Sequence, residues 1–250
     1  MIAALPMYDW PEVRAETDAL WAALRDGLRE GGFAAPEELT RGGDPWSVWR
    51  SPDLVLAQTC GLPFAARLTG AVTLLGAPVY SLLGCPAGTY CSEIVVRVDD
   101  KAQALADLRG RRLAFNMRES QSGWAALDAE TAIAALTGEL VETGAHRASI
   151  VAVAEGRADF AAIDSVAWVL ALRHEPAAER LRVVHRTAPT PGLPYITRLR
   201  VAAEAEAMAG ILEQAIEALP ATVKQTLALR GFRRWQAEDY APLAKGWPES

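Results

Sequence analysis

Arg112-Leu113-Ala114-Phe115-Asn116, then Ser120-Gln121-Ser122-Gly123-Trp124, then an apolar run through Ala125, Ala126, Leu127 and Ala132: this stretch decides the fold. The first part reads as a strand and the last as a helix, so Ser-x-Ser-Gly stands at a strand-to-helix turn. The first turn of a helix has N–H donors without intrahelical partners and a partial positive charge. Two hydroxyls beside such donors make a seat for a small oxyanion that needs neither Lys nor Arg. The plainer reading makes Ser120 or Ser122 an N-cap, the commonest role of serine at that place. The motif alone leaves both readings open.

Outward from this turn, strand and helix signals alternate. Residues 2–7 read as a first strand, and Pro11 fits the first helical position of a helix carrying Val13, Leu20, Trp21, Leu24 and Leu28 and ended by Gly31-Gly32. The continuous apolar run 54–57 suits a strand buried on both faces. Strands are expected near 72–75, 94–98, 113–116, 140–143, 158–163 and 181–185, with helices at 102–108, after Gly123, and at 148–154. Asp164 opens a helix through Trp168 and Leu172, and two C-terminal helices, 202–219 and 221–229, meet at Pro220. Residues 78–88 and 187–194 are Gly- and Pro-rich and read as loops. The alternation predicts an α/β fold with mixed, mostly parallel sheets flanked by helices. The Gly/Pro zones flank a central block, which suggests two lobes: 1–86 with 188–250, and 87–187, joined by hinge segments near 84–92 and 185–194.

The chain has 250 residues, 51% of them hydrophobic, which suits one large domain or two small lobes. A net charge of −6 argues against nucleic acid, which wants a basic face. Arg230, Arg233 and Arg234 read as a solvated cluster at a helix C-terminus. No apolar run reaches the roughly 18–20 residues of a membrane helix. Residues 1–7 show neither a basic n-region nor a cleavage site. The expectation is a chain that does not span the membrane: cytoplasmic as the sequence stands, periplasmic or a lipoprotein if a leader was removed. Three cysteines give no complete disulfide framework. Cys85 and Cys91 are close enough across a Pro-Ala-Gly turn to bridge, but two separate thiols are the expected arrangement. No CxxC or HExxH is present, so no metal is expected. Without GxGxxG, GxxxxGK[ST] or GxSxG, no nucleotide cofactor is expected either.

The candidate binding residues cluster at strand ends, where α/β proteins bind ligands. They are Tyr8, Gln58, Thr59, Tyr80, Tyr90, Asn116, Ser120, Gln121, Ser122, Gly123, His146 and Asp164. Thr143-Gly144-Ala145-His146-Arg147-Ala148-Ser149 is a second strand-to-helix turn whose His could donate to an anion. Asp164 is equally suited to capping its own helix. An enzyme reading would pair Cys60 as nucleophile with His146 and Asp164, although nothing in their spacing brings them together.

The succession Met7-Tyr8-Asp9, 54–61, 111–123, 143–149, 158–164 and 191–195 resembles the phosphate/phosphite/phosphonate-type substrate-binding proteins of ABC transporters, over nearly the whole chain. The resemblance implies a two-lobed periplasmic-binding-protein fold of the second type, closing on a ligand in an interlobe cleft. It implies that Ser120, Gln121, Ser122 and His146 hold phosphorus-bound oxygens, with Tyr8, Tyr80 or Tyr90 lining the cleft. It implies no catalysis, a transporter permease as partner, and a monomer. Gln121 stands where the family usually carries Thr. Val166 and Leu193 stand where aminophosphonate binders place carboxylates, which favours phosphate, phosphite or an alkyl-phosphonate. The alternative is a cytosolic enzyme or ligand sensor on the same fold, acting on a small carboxylate or aromatic acid.

Overall fold

The apolar runs become strands of two separate five-stranded sheets in the computed structural model, which describes residues 1–248. In chain order the strands are β1 (Ile2–Ala4), β2 (Leu54–Gln58), β3 (Val72–Tyr80), β4 (Thr89–Tyr90), β5 (Ser92–Arg97) and β6 (Arg111–Phe115). They continue with β7 (Thr137–Glu142), β8 (Phe160–Asp164), β9 (Leu181–Arg186), β10 (Thr190–Pro191), β11 (Tyr195–Arg198) and β12 (Leu229–Arg233). The chain forms two compact units: unit one joins Met1–Leu83 to Pro191–Ala244, and unit two holds Gly84–Thr190 with residues 245–248.

Unit one carries the sheet β1-β2-β11-β3-β12. β1 and β2 are parallel, while β11 and β12 run antiparallel to their neighbours. Every residue of β2 is buried, which is why 54–57 is apolar throughout. The Arg14–Glu30 helix follows a short Pro11–Val13 turn, ends at Gly31, and buries Leu20, Trp21, Leu24 and Leu28. Ala4, Trp49, Leu54, Phe64, Leu68, Val72, Ile196 and Tyr240 form one core cluster. The Tyr240 hydroxyl donates to the Gly192 carbonyl at 2.6 Å, which satisfies a polar group that burial would otherwise penalise.

Unit two carries the sheet β7-β6-β8-β5-β9. β6 is parallel to β7 and β8, β5 is antiparallel to β8, and β9 is antiparallel to β5. The C-terminal ends of β6, β7, β8 and β9 and the start of β5 therefore share one edge, with Ser92 directly opposite Asp164. That edge receives every candidate turn of this unit.

Several local expectations need correction. Both sheets are mixed, with fewer parallel pairs than expected, because β11, β12 and β5 enter in reverse. β3 runs on through Gly76 and Pro78 to Tyr80 where a loop was expected. It pairs with β11 up to Gly76 and with β12 from Ala77, so Pro78 lies where only one strand bonds it. Gly76 takes φ +133°, and a Cβ there would meet the Arg233 carbonyl at 2.6 Å. The first C-terminal helix after Pro220 spans Ala221–Thr226, and Leu229–Arg233 is a strand, so Arg230 and Arg233 lie on β12 and not at a helix end. Arg234 pairs with Glu206 and Glu213. The segment 102–108 forms only a short Leu105–Leu108 turn of 3-10 helix. The helix after Gly123 stops at Glu130, and Ile133–Leu136 is a separate turn.

Cys85 and Cys91 form a disulfide, where separate thiols were expected. The Pro-Ala-Gly turn brings their Cα atoms to 6.5 Å, inside the bridging range. The Cys91 N–H donates to Ser165 Oγ at 2.9 Å, and Ser165 Oγ donates to the Cys91 carbonyl at 2.5 Å, which fixes Cys91 for that bond. Among the described residues no helix is long and apolar enough to cross a membrane.

Candidate functional site

The Ser-x-Ser-Gly turn forms because β6 ends at Phe115 and the chain must re-enter as a helix at the same sheet edge. Gln121–Ala125 is a turn of wide π-helix that runs directly into the Ala126–Glu130 α-helix. Ser120 has extended backbone (φ −81°, ψ 126°) and is its N-cap, with Oγ accepting from the Gly123 N–H at 2.9 Å. Capping and ligand binding do not exclude each other here, because an accepting hydroxyl keeps its own proton to donate. Ser120, Gln121, Ser122 and Gly123 are all buried. Pi-type turns concentrate at functional positions.

Gly123 is required by close approach. A Cβ at this position would lie 1.8 Å from Asn116 Oδ1 and 3.1 Å from Ser120 Oγ. The Asn116 side chain therefore lies against the backbone of the turn. Trp124 follows and packs on Phe115, with ring centroids 4.8 Å apart. The Arg118 guanidinium stacks 4.4 Å from the Trp124 ring centre. Arg118 was not singled out by the sequence, in which it is one arginine in the loop leading into the turn.

The Thr143–His146 turn is laced onto the first. Thr143 N–H and Oγ1 both donate to the Phe115 carbonyl, at 2.9 and 3.0 Å. Gly144 N–H donates to the Asn116 carbonyl at 3.0 Å. These bonds extend the parallel β6/β7 pairing past the strand ends and put the two helix starts side by side. His146 is the first residue of the His146–Ala154 helix, whose N-cap, Ala145, supplies no side-chain bond. His146 Nε2 lies 3.0 Å from Ser122 Oγ, joining two residues that the sequence placed in separate motifs. Its Nδ1 has no exposed surface. Burial pushes the imidazole down to about 4, with the Ala162 backbone pulling weakly the other way. His146 is neutral at pH 7.

Asp164 ends β8 and caps the Ser165–His174 helix. Its Oδ1 accepts from Val166 N–H at 2.7 Å and Ala167 N–H at 3.0 Å. Tyr90 is buried, with its hydroxyl fully enclosed. Val166 is buried as well.

In unit one, Tyr8 and Tyr80 meet edge to face with ring centroids 5.2 Å apart. Gln58 Nε2 donates to the Tyr80 hydroxyl at 3.5 Å. Thr59 is buried, and its N–H donates to the Pro194 carbonyl at 3.0 Å. Tyr195, on the adjacent strand, is buried, and burial first, then Tyr80, drives its hydroxyl well above the usual tyrosine range. Pairing of β11 with β2 and β3 sets Tyr195 opposite Gln58 and Gly76. Unit one thus brings Tyr8, Gln58 and Tyr80 together, and unit two brings Asn116, Ser120, Ser122, Gly123 and His146 together.

This architecture is found in solved binding proteins. The chain is similar to XAC2383 from Xanthomonas citri bound to ATP (20% identity, 98% of this chain and 96% of that one, TM-score 0.72). It is similar to a binding protein component of an ABC phosphonate transporter, PA3383, from Pseudomonas aeruginosa (17% identity, 98% and 84%, TM-score 0.72). It is also similar to PhnD1 from Prochlorococcus marinus in complex with methylphosphonate (14% identity, 98% and 96%, TM-score 0.70). No curated protein matches the chain in sequence. The fold is the two-lobed, mixed α/β architecture of the second type of periplasmic binding protein. Residues 53–240 match the family described as "ABC transporter, phosphonate, periplasmic substrate-binding protein", and the chain belongs to that family. Its function is to capture a small solute for an ABC transporter, with a permease as partner, and not to catalyse a reaction.

Proposed function

We propose that this substrate-binding protein holds a small phosphorus oxyanion, namely phosphate, phosphite or an alkyl-phosphonate, at Ser120–Gly123 with His146 completing the seat. The observation that carries the reading is the 3.0 Å contact of Ser122 Oγ with His146 Nε2 at the starts of two adjacent helices. Asn116, Ser120, Gln121, Ser122, Gly123 and neutral His146 carry no formal charge, so the anion would be held by first-turn N–H groups and hydroxyls. Tyr8, Tyr80 and Gln58 form a separate amphipathic cluster within unit one. Buried, apolar Val166 and Leu193 supply no carboxylate for an ammonium group, which supports an uncharged substituent. The chain is read as a monomer that delivers this ligand to the permease.

Thermal unfolding with phosphate, phosphite, methylphosphonate, 2-aminoethylphosphonate and ATP tests the ligand class. A ligand at about 100 times its Kd adds roughly 2.7 kcal/mol of stability. Stabilisation by a small phosphorus oxyanion is expected, and stabilisation by ATP alone overturns the reading. Ser122→Ala is expected to weaken binding by about 1.5–3 kcal/mol, as for a lost hydrogen bond to a charged group. Unchanged affinity in titration calorimetry would remove Ser122 from the site.

A further inference from the structure

The helix that His146 opens is fastened without a cap. Ala145 has the extended backbone of an N-cap (φ −153°, ψ 149°) but no side-chain group to offer, so it takes none of the first-turn N–H groups. The hold comes from a chain of hydroxyls instead. Thr143 Oγ1 lies 3.0 Å from the Phe115 carbonyl, 3.1 Å from the Ala145 carbonyl and 2.7 Å from Ser149 Oγ. Carbonyls only accept, so the single Thr143 O–H proton is shared between them, and Ser149 donates to Thr143. Ser149 is fully buried one turn into the helix, and Phe115 is the last residue of β6. The relay Ser149–Thr143–Phe115 therefore ties the body of this helix to the strand that ends at the Ser-x-Ser-Gly turn.

A capping side chain at Ala145 would fasten the same helix more simply, but it would consume first-turn donors, as Asp164 does for its own helix. The relay fixes the helix and spends none of them. We infer that Thr143 and Ser149 are positioning residues, which hold His146 against Ser122 while leaving the start of the His146–Ala154 helix uncapped for the ligand. The inference rests on the oxyanion reading proposed above. The 3.0 Å contact of Ser122 Oγ with His146 Nε2 fits it, because that distance is set by where β6 and this helix are joined.

Titration calorimetry with methylphosphonate and an NMR titration of the His146 ring test it on Thr143→Val, which keeps the branched shape without the hydroxyl, and on Thr143→Ser, which keeps the hydroxyl. In Thr143→Val, affinity is expected to fall about tenfold, the size of one lost hydrogen bond to a charged group. His146 is expected to titrate above its wild-type value of about 4 as water reaches the loosened ring. Thr143→Ser should keep both at their wild-type values. A Thr143→Val chain that melts lower but keeps wild-type affinity and His146 titration overturns the inference, because the relay is then only a stabilising contact. Ala145→Asp supplies the missing cap, so Tm should rise by about 2–4 °C while affinity falls at least about tenfold. Undiminished affinity in Ala145→Asp overturns the inference too, and this variant decides if Thr143→Val does not fold. If no phosphorus oxyanion binds the wild type, the proposed function fails on its own, and the His146 titration still decides whether Thr143 positions the ring.

Discussion

The turns after β6 and β8 stand at neighbouring strand ends on one sheet edge, yet they treat negative charge in opposite ways. After β8 the cap is a carboxylate, and Asp164 takes two first-turn N–H groups, at 2.7 and 3.0 Å. That helix start already holds its own anion. After β6 the cap is a hydroxyl, Ser120, which takes the Gly123 N–H alone. The remaining first-turn donors and the partial positive charge of that helix are not neutralised from within. The same topology thus gives a closed turn and an open one, and the difference is the chemistry of one capping side chain. On the proposed reading, the anion seat lies where the fold withholds a carboxylate.

The strongest way to break the contrast is to make the open turn like the closed one. Ser120→Asp keeps a competent cap, so stability should change little. The new carboxylate would repel the incoming anion, and like charges set against each other cost several kcal/mol. Phosphonate binding should be lost in calorimetry, and retention of micromolar affinity by this variant would show that the anion sits elsewhere.

Next in size is the acid response of the third turn, where Ala145 gives no side-chain cap and His146 opens the helix. Burial lowers His146 from 6.5 to about 4, so the unfolded chain takes up a proton that the folded chain refuses as pH falls through that interval. The His146 contribution to stability is full above pH 6.5, declines toward pH 4 and levels off below it. The loss from this group amounts to at most about 3.4 kcal/mol at about 1.36 kcal/mol per pKa unit. Denaturant melts at pH 7 and pH 4.5 on the wild type and His146→Gln measure it, and the variant should lose this part of the slope.

The smallest effect sharpens the comparison from the other side. Asp164→Ala removes the closed turn's cap and should cost about 0.5–2 kcal/mol of stability. Anion affinity should be unchanged, because Asp164 is engaged with its own helix. A large loss of affinity in a folded Asp164→Ala would assign that carboxylate to the ligand instead.

How much of this was legible in the sequence follows from where the information lies. Runs such as 54–57 and 113–115 announce strands by continuous apolarity, and the structure buries them fully. Residues 229–233, Leu-Arg-Gly-Phe-Arg, carry no such signal, and they form β12 because antiparallel pairing with Ala77–Tyr80 organises them from far away in the chain. Gly76 and Pro78 read as breakers, yet β3 passes through them because its partner changes between Gly76 and Ala77. The site divides similarly. The Ser120–Gly123 and Thr143–Ser149 turns were each visible as strand-to-helix junctions. That Ser122 meets His146 depends on β6 and β7 being neighbours, which spacing alone does not state. The pairing of Cys85 with Cys91 was equally a matter of a distance that only the folded turn sets.

The bonds from Thr143 and Gly144 to the Phe115 and Asn116 carbonyls have a consequence for the thermodynamics of capture. They tie two loops into one preorganised jaw before any ligand arrives. Ordering loops and rotamers on binding ordinarily consumes much of the interaction energy of a small ligand. If the anion sits at Ser120–Gly123 as proposed, that ordering is completed during folding, and a handful of neutral donors would supply useful affinity without a cation. Loosening the jaw, with every donor left in place, would weaken capture through entropy alone.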